Sequence, residues 1–279
     1  MRPPRPFQLL LPLLGLAICG LVGCGGSGAA GTAASGAQLA CPRIGIPAYL
    51  DLSSTASGTG AAPLLGAGRV LGFAVLNPAS GPGISPDAGY RAAITQLGRR
   101  SVAIVGYVDT DYGLRPAAQV LVDVARWDSW YGVDSIFFDR TPTSTDAYAT
   151  YERYVRAVHG NGGRALLNPG TYPARSYLRL ADVTVTFEGT YAAYRRARPP
   201  KWANTLDPAR SWHLVYATPA ADLGAALATA RARRAGFVYV TDDELPDPWN
   251  TIAGYWTDEQ RRVTKLVPNC REPAAWVTR

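Results

Sequence analysis

Histidine is scarce in this chain of 279 residues, which contains only His159 and His213. His159 stands beside Gly160 at the predicted end of a helix, and His213 comes early in a predicted strand. A Ser-His-Asp triad needs a histidine to carry the proton, and most catalytic zinc sites use histidine ligands. We therefore interpret both histidines as structural, and we expect neither a bound metal nor another cofactor.

The common signals of nucleotide and nucleic-acid binding are also missing. No G-x-G-x-x-G or G-x-x-x-x-G-K-[ST] pattern follows any predicted strand, and no segment has the pattern of an EF-hand calcium loop. The net charge is +7, but 26 of the 28 basic residues are arginines scattered along the chain. Nucleic-acid recognition requires basic residues focused on one face of the protein. We expect a solvated surface and no nucleic-acid partner.

The first 23 residues have the features of an export signal. Two arginines precede an apolar run from Leu9 to Ile18, which is too short to span a bilayer. The segment Leu-Val-Gly-Cys at 21–24 resembles the lipobox of bacterial lipoproteins, in which the cysteine receives the lipid. We predict lipidation of Cys24, which would anchor the protein to the extracellular face of the bacterial cell membrane. The alternative is an ordinary secretory peptide with an incidental Cys24.

The remaining chain divides into a tether and one domain. Residues 24–40 are rich in Gly, Ala and Ser and carry no charge, which is typical of a flexible tether. Residues 41–279 have the length of one large domain. With Cys19 removed and Cys24 lipidated, Cys41 and Cys270 remain at the two ends of this domain. Exported proteins form disulfides, so we predict that these two cysteines pair; the alternative is two free thiols.

Short apolar or aromatic runs alternate with alanine-rich stretches in this domain. Such alternation is typical of a parallel sheet covered by helices. In the helix predicted over 116–131, Val120, Val124, Trp127 and Tyr131 recur on one side. We predict an α/β fold, a single (β/α)8 TIM-type barrel, rather than a doubly wound open sheet. The eight predicted strands are 44–50, 70–77, 102–109, 135–139, 164–168, 183–188, 212–218 and 237–242.

Acidic and amide side chains follow almost every predicted strand. In a barrel, the carboxyl ends of the strands build the active site, so these positions carry functional weight. Asp and Asn are also common turn and helix-capping residues, and that interpretation stays open for each residue alone. The residues at these ends are Asp51, Asn77, Asp109 with Asp111, Asp139, Asn168, Glu188, and Asp242 with Asp243 and Glu244.

Glycosidic bond cleavage is the chemistry that best fits acidic and amide side chains gathered at one end of a barrel. It needs one carboxyl group to protonate the leaving oxygen and a second to attack or stabilise the sugar or to activate water. Asp139 and Glu188 are the strongest candidates, because each ends an apolar run. Each carboxyl group would lie next to a buried strand, where burial can shift its pKa. Asp109 and Asp242 are expected to support them. Aromatic rings near strand ends would add stacking surface for sugars; these are Tyr49, Tyr107, Tyr112, Tyr191 and Trp249.

Five segments resemble the spherulin-4 (spherulation-specific family 4) proteins in order and spacing. They are NPASGPGISPDAGY (77–90), VGYVDTDYGLR (105–115), GVDSIFFD (132–139), NPG (168–170) and TFEG (186–189). The resemblance implies a (β/α)8 barrel similar to glycoside hydrolase family 135, which cleaves galactosaminogalactan with α-1,4-linked N-acetylgalactosamine. It implies that Asp139 and Glu188 are catalytic. The family has a second carboxylate next to the first, where this chain has Arg140.

Three functions remain open at this point. The first is a hydrolase with catalytic Asp139 and Glu188, which binds a polysaccharide through Tyr49, Asp51, Asn77, Tyr107, Asp109, Asn168, Asp242 and Trp249. The second is a lipid-tethered, non-catalytic polysaccharide-binding protein, which Arg140 favours because a guanidinium is permanently charged and cannot act as a general acid. The third is a metal-dependent deacetylase or lyase. We expect a monomer in each case.

Overall fold

The computed structural model describes residues 42–52 and 60–266 of the chain. The predicted signal peptide, the predicted tether, Cys24, Cys41 and Cys270 lie outside the described residues. The lipidation, the disulfide and the domain bounds therefore stay predictions. Within the described ranges, no helix is both long and apolar enough to cross a membrane.

Eight parallel β-strands close into a barrel in the described part of the chain. Each strand pairs with the next, and the last pairs with the first through Arg43–Phe237 and Ile44–Val238. The predicted fold class, a single (β/α)8 barrel, is confirmed. The strands are β1 (Arg43–Ala48), β2 (Leu71–Leu76), β3 (Ile104–Asp109), β4 (Ile136–Asp139), β5 (Ala165–Leu167), β6 (Val183–Thr190), β7 (Ser211–Tyr216) and β8 (Phe237–Val240).

Helices follow the strands along the chain and cover the outside of the barrel. The helices of the described residues are α1 (Ala62–Gly66), α2 (Ala88–Arg99), α3 (Ala117–Tyr131), α4 (Tyr148–Gly160), α5 (Arg175–Leu180), α6 (Tyr191–Arg196), α7 (Leu223–Ala232) and α8 (Trp256–Leu266). The loop between β8 and α8 is long and contains a cis peptide bond between Leu245 and Pro246. It contributes to the cleft described below.

Aromatic side chains fill the barrel interior. Phe73 meets the Trp212 indole edge-on with ring centroids 4.8 Å apart, and Phe137 packs against the same indole at 5.5 Å. All three rings are buried. Gly45 leaves room for them, since a Cβ there would lie 2.5 Å from the Phe73 ring. The interior beneath the site is therefore packed with apolar rings, which keeps water away from the strand ends above it.

Helix α3 is seated on β3 by one tryptophan. Trp127 is fully buried and its indole Nε1 donates to the Tyr107 carbonyl over 2.8 Å. The indole lies against Gly106, where a Cβ would come within 2.4 Å of the ring. The predicted apolar side of this helix, Val120, Val124, Trp127 and Tyr131, is buried as expected. This packing holds the end of β3, and with it Tyr107, in position.

Candidate active site

A cleft of about 550 Å³ opens at the carboxyl ends of the strands. Every one of the eight strands, or the loop that follows it, contributes at least one side chain to its wall. The residues that line it are Tyr49, Asn77, Tyr112, Asp139, Arg140, Asn168, Pro169, Gly170, Glu188, Tyr216, Leu245, Pro246, Asp247, Pro248 and Trp249.

Two carboxylates in this cleft share one amide donor. Asn168 Nδ2 lies 2.7 Å from Oδ1 of Asp139 and 2.7 Å from Oε2 of Glu188. Its own Oδ1 accepts from the Gly170 backbone amide over 2.9 Å, which fixes the orientation of the side chain. The Asp139 and Glu188 oxygens that accept these two hydrogen bonds therefore lie no farther apart than twice 2.7 Å. Asn168 itself is buried, so the pair is held on a rigid support.

Two tyrosines lie beside Asp139. The Tyr107 hydroxyl donates to Oδ2 of Asp139 over 2.8 Å, and burial together with the negative charge of Asp139 raises the pKa of Tyr107. Tyr107 therefore keeps its proton and acts as a donor. The Tyr49 ring meets the Tyr107 ring edge-on at 5.4 Å, and burial raises the pKa of Tyr49 as well. Two neutral phenols thus stand next to one carboxylate.

Burial changes the proton affinity of both carboxylates. Burial first, and the charge of Asp139 second, raise the pKa of Glu188 to about 7, against hydrogen bonds from Asn168 and Trp249 that lower it. Burial also raises the pKa of Asp139, and the hydrogen bonds from Tyr107, the Arg140 backbone and Asn168 offset part of that effect. At neutral pH the pair can hold and exchange a proton, as acid and base catalysis requires.

Arg140 is bound to two aspartates at the edge of the cleft. Its Nε donates to Oδ1 of Asp109 over 2.7 Å, a second nitrogen contacts the other Asp109 oxygen, and its third lies 2.9 Å from Asp111. Burial alone would raise the pKa of Asp109, but the hydrogen bonds and charge of Arg140 outweigh it and lower the pKa. The positive charge of Arg140 is thus balanced locally.

The structure gathers most of the predicted site residues. Asp139, Glu188, Tyr49, Asn77, Asn168 and Trp249 line the cleft, and Tyr107 lies against Asp139. Asp109 is held by Arg140. Asp51 and Asp242 are exposed and are not among the lining residues; Asp242 accepts from the Gly254 backbone amide over 2.8 Å and so closes its own loop. Their predicted binding roles stay predictions.

Neither histidine lines the cleft. His213 is 1% exposed, its Nδ1 lies 2.6 Å from the Tyr194 hydroxyl, and burial lowers its pKa to about 3. His159 is paired with Asp182 over 2.8 Å. Across residues 42–52 and 60–266, no three His, Cys, Asp or Glu side chains lie close enough together to hold a metal ion.

Several lining residues were not singled out from the sequence. Tyr216 ends β7, and its position at a strand end is a signal that would have identified it. The stretch Leu245–Trp249 folds back over the mouth, and only Trp249 was named in advance. Asp247 accepts from the Trp249 backbone amide over 3.1 Å in this loop. Nothing in the periodicity of a loop indicates which of its residues turn inward.

A model of the Spherulin4 family, spherulation-specific family 4, matches residues 44–263. The chain belongs to this family. The match spans all eight strands and the whole cleft, so the described site is the site of a spherulation-specific family 4 protein. The prediction of the family from five short segments is confirmed.

Relatives of known sequence and structure agree with this membership. Spherulin-4 of Physarum polycephalum is 29% identical over 207 residues, which are 70% of this chain and 62% of that protein. The alignment thus spans less than two thirds of that relative's length. Aspergillus clavatus Sph3, whose crystal structure is a complex with GalNAc, superposes with a TM-score of 0.71 at 25% identity, over 81% of this chain and 98% of the other. The spore cortex-lytic enzyme SleL of Bacillus cereus, with a TM-score of 0.50 at 10% identity over 84% and 75% of the two chains, shares the fold.

Proposed function

We propose that this protein is a glycoside hydrolase that cleaves within an amino-sugar polysaccharide, with α-1,4-linked N-acetylgalactosamine as the expected sugar. The observation that carries the proposal is the Asn168 amide that joins Asp139 and Glu188 in one cleft. Glycosidic cleavage needs two carboxyl groups held on either side of a sugar linkage. The complex of the related Sph3 with GalNAc supports the choice of an N-acetylated amino sugar.

The environments of the two carboxyl groups support different roles. Glu188, with a pKa raised to about 7, carries its proton in a large fraction of the molecules at neutral pH and is suited to protonate the leaving oxygen. Asp139 receives hydrogen bonds from both Tyr107 and Asn168, which favour its anionic form. Asp139 is therefore the candidate to attack or stabilise the positive carbon of the sugar.

The spacing of the pair supports retention of anomeric configuration. Asn168 holds the two carboxylate oxygens within twice 2.7 Å of each other. Retaining glycosidases place their carboxyl groups about 5 Å apart, whereas inverting enzymes need about 6.5 Å or more to admit a water molecule. A retaining course, with Glu188 acting first as acid and then as base, agrees with this geometry.

A non-catalytic binding protein is the second candidate, because Arg140 occupies the position of the second family carboxylate. A permanent cation beside Asp139 would oppose acid catalysis if its charge were free. In the structure, Asp109 and Asp111 bind the guanidinium, and Asp139 and Glu188 are joined to each other through Asn168. The binding-protein hypothesis predicts polymer binding with no cleavage, and that outcome separates the two functions.

The decisive experiment is reducing-end release from fully and partly N-acetylated α-1,4-galactosaminogalactan by the purified protein. Asp139→Asn and Glu188→Gln keep the size of each side chain and remove its acid function. Glu152→Gln, an exposed residue of α4 that pairs with Arg156, is the matched control. We expect release by the parent protein and the control, and loss of at least about a thousandfold in each site variant. Polymer binding without release by the parent would favour the binding protein.

We further propose that Cys24 carries the lipid anchor and that Cys41 and Cys270 form a disulfide in the exported protein. The lipobox-like segment at 21–24 supports the lipidation. The oxidising environment of exported proteins supports the disulfide. Cys24→Ser is expected to move the protein from the membrane fraction to the medium. Peptide mapping without reduction is expected to recover the Cys41 and Cys270 peptides as one linked species; two alkylated free cysteines would contradict the pairing.

A further inference from the structure

Arg140 makes a set of contacts that serve no step of the proposed chemistry. Besides its contacts with Asp109 and Asp111, its guanidinium carbon lies 5.7 Å from the centre of the Tyr112 ring. A guanidinium at this distance from an aromatic face is attracted by the electrons of the ring. Arg140, directly after β4, thus holds the last residue of β3 and two residues of the turn that follows it.

The backbone of this turn is held in a conformation that needs support. Asp111, Tyr112 and Arg140 all have positive φ angles, of 48°, 55° and 52°. Side-chain-bearing residues adopt this region at a cost of about 1 kcal/mol each, so surrounding contacts must stabilise them. The Tyr112 amide donates to the Arg140 carbonyl over 2.7 Å, and the Asp111 amide donates to the Asp109 carboxylate over 3.0 Å.

This arrangement places an exposed aromatic ring, that of Tyr112, on the wall of the cleft. Tyr112 is 55% exposed and lines the cleft together with Asp139 and Glu188. An exposed tyrosine on a strained turn gains little from burial, so its position has no evident benefit for the stability of the fold. Ring faces of this kind stack on the apolar face of a pyranose, and they retain a hydroxyl for hydrogen bonding.

We propose that Arg140 is a positioning residue that fixes the turn after β3 and presents Tyr112 as a stacking platform for a sugar ring at the edge of the cleft. The inference rests on the proposed function and deepens it. The substrate it implies is a polymer long enough to occupy both the carboxylate pair and this outer platform. Arg140 is then the support of an outer subsite, in place of a second acid.

The experiment measures KM and kcat for the polymer and for a short oligosaccharide. Affinity gel electrophoresis, in gels that contain the polysaccharide, measures binding of the polymer. The variants are made in the full chain. Tyr112→Ala removes the platform, and Tyr112→Phe retains it. Arg140→Gln combined with Asp109→Asn removes the support but leaves the net charge of that pair unchanged, which limits any effect on the pKa of Asp139. Arg126→Ala is the matched control, because Arg126 lies 5.1 Å from the Trp130 ring but does not line the cleft.

We call the double variant Arg140→Gln with Asp109→Asn the charge-balanced pair. We expect Tyr112→Ala and the charge-balanced pair each to raise KM for the polymer about tenfold and to leave kcat nearly unchanged. The KM for the short oligosaccharide should change much less. Tyr112→Phe should restore most of the affinity. Adding Tyr112→Ala to the charge-balanced pair should add little, because both act through the same ring. The control should bind the polymer as the parent does.

Other outcomes separate this inference from the proposed function. If the parent cleaves the polymer and Tyr112→Ala has the same KM and affinity, the platform is wrong and the hydrolase stands. If the parent binds without cleavage and Tyr112→Ala binds about tenfold more weakly, the hydrolase is wrong and the platform stands. A fall in kcat alone in the charge-balanced pair would place Arg140 in the chemistry and overturn its positioning role.

Discussion

Asn168 Nδ2 lies 2.7 Å from Oε2 of Glu188, and the same nitrogen is 2.7 Å from Asp139. A buried amide thereby gives one N–H to each of two carboxyl groups. Hydrogen bonds to a carboxylate favour its charged form, and here they lower the pKa of both acids against the effect of burial. The amide sets both the spacing and the proton affinity of the pair.

Replacing Asn168 by Ala is expected to shift the pH profile of kcat/KM to higher pH. Loss of the amide removes a contact that lowers both pKa values, so the acidic and the basic limb should both move upward. We also expect kcat to fall at least about tenfold, because the spacing of the pair is no longer fixed. Asn161→Ala, at the end of α4 and away from the cleft, is the control. An unchanged profile would show that the amide does not tune the pair.

Replacing Tyr107 by Phe is expected to lower kcat/KM about tenfold without unfolding the protein. The change removes the 2.8 Å hydrogen bond to Asp139, so the pKa of Asp139 rises and less of the reactive anion is present at acidic pH. The edge contact with Tyr49 remains possible because the ring is kept. Tyr154→Phe provides a matched comparison, since the buried Tyr154 hydroxyl has no hydrogen-bond partner among the described residues. Equal activity of both variants would contradict the role of Tyr107.

The stability of the protein is expected to depend on the protonation of Glu188. Its pKa is about 7 in the folded state and near the ordinary 4.5 in the unfolded chain, so the folded state binds more protons between these values. The free energy of unfolding should therefore decrease as pH rises from about 4.5 to about 7. Glu188→Gln has no such dependence at this position. We expect the variant to match the parent at pH 5 and to exceed it at pH 8, by up to about 3 kcal/mol.

Denaturant unfolding at the two pH values tests this expectation. The informative quantity is the difference between the parent and Glu188→Gln, because groups that do not interact with Glu188 titrate equally in both proteins. A difference that does not change between pH 5 and pH 8 would mean that Glu188 titrates at its ordinary pKa in the folded protein.

Replacing Gly106 by Ala is expected to destabilise the fold by at least about 2 kcal/mol and to reduce activity. The added Cβ would lie 2.4 Å from the Trp127 indole, which must then move, and this indole donates to the carbonyl of Tyr107. Gly98→Ala in α2 is the matched control, because nothing lies within 4 Å of its added Cβ and alanine favours a helix. Thermal unfolding curves of the two variants give the comparison. A stable and fully active Gly106→Ala protein would show that Trp127 does not hold β3.

The strands and the pair of carboxylates were predictable, and the reasons are local. Strands buried on both faces carry few charged residues, so runs such as 135–139 and 183–188, which are uncharged up to their final carboxylate, are visible without a structure. Parallel strands in a closed barrel bring their carboxyl ends to one face, which places Asp139 and Glu188 together whatever the loops do. Asn168 was identified by the same reasoning.

The loops were not predictable to the same degree. Asp51 and Asp242 follow strands as Asn77 does, yet only Asn77 lines the cleft. Asp242 is used by its own loop to accept from Gly254. The side chain of a loop residue points wherever the local turn directs it, and that direction depends on contacts with residues distant in the chain.

The sequence by itself determined the barrel, the family and the face on which the site lies, because strand burial and strand order follow from hydrophobic pattern. Only the tertiary structure decided how the charge of Arg140 is compensated. The register of β3 and β4 places Asp109 opposite Asp139, and so beside the residue that follows it. The arginine that stands where the family resemblance implies an acid is therefore neutralised by an aspartate 31 residues away, and its effect depends on that pairing rather than on its charge alone.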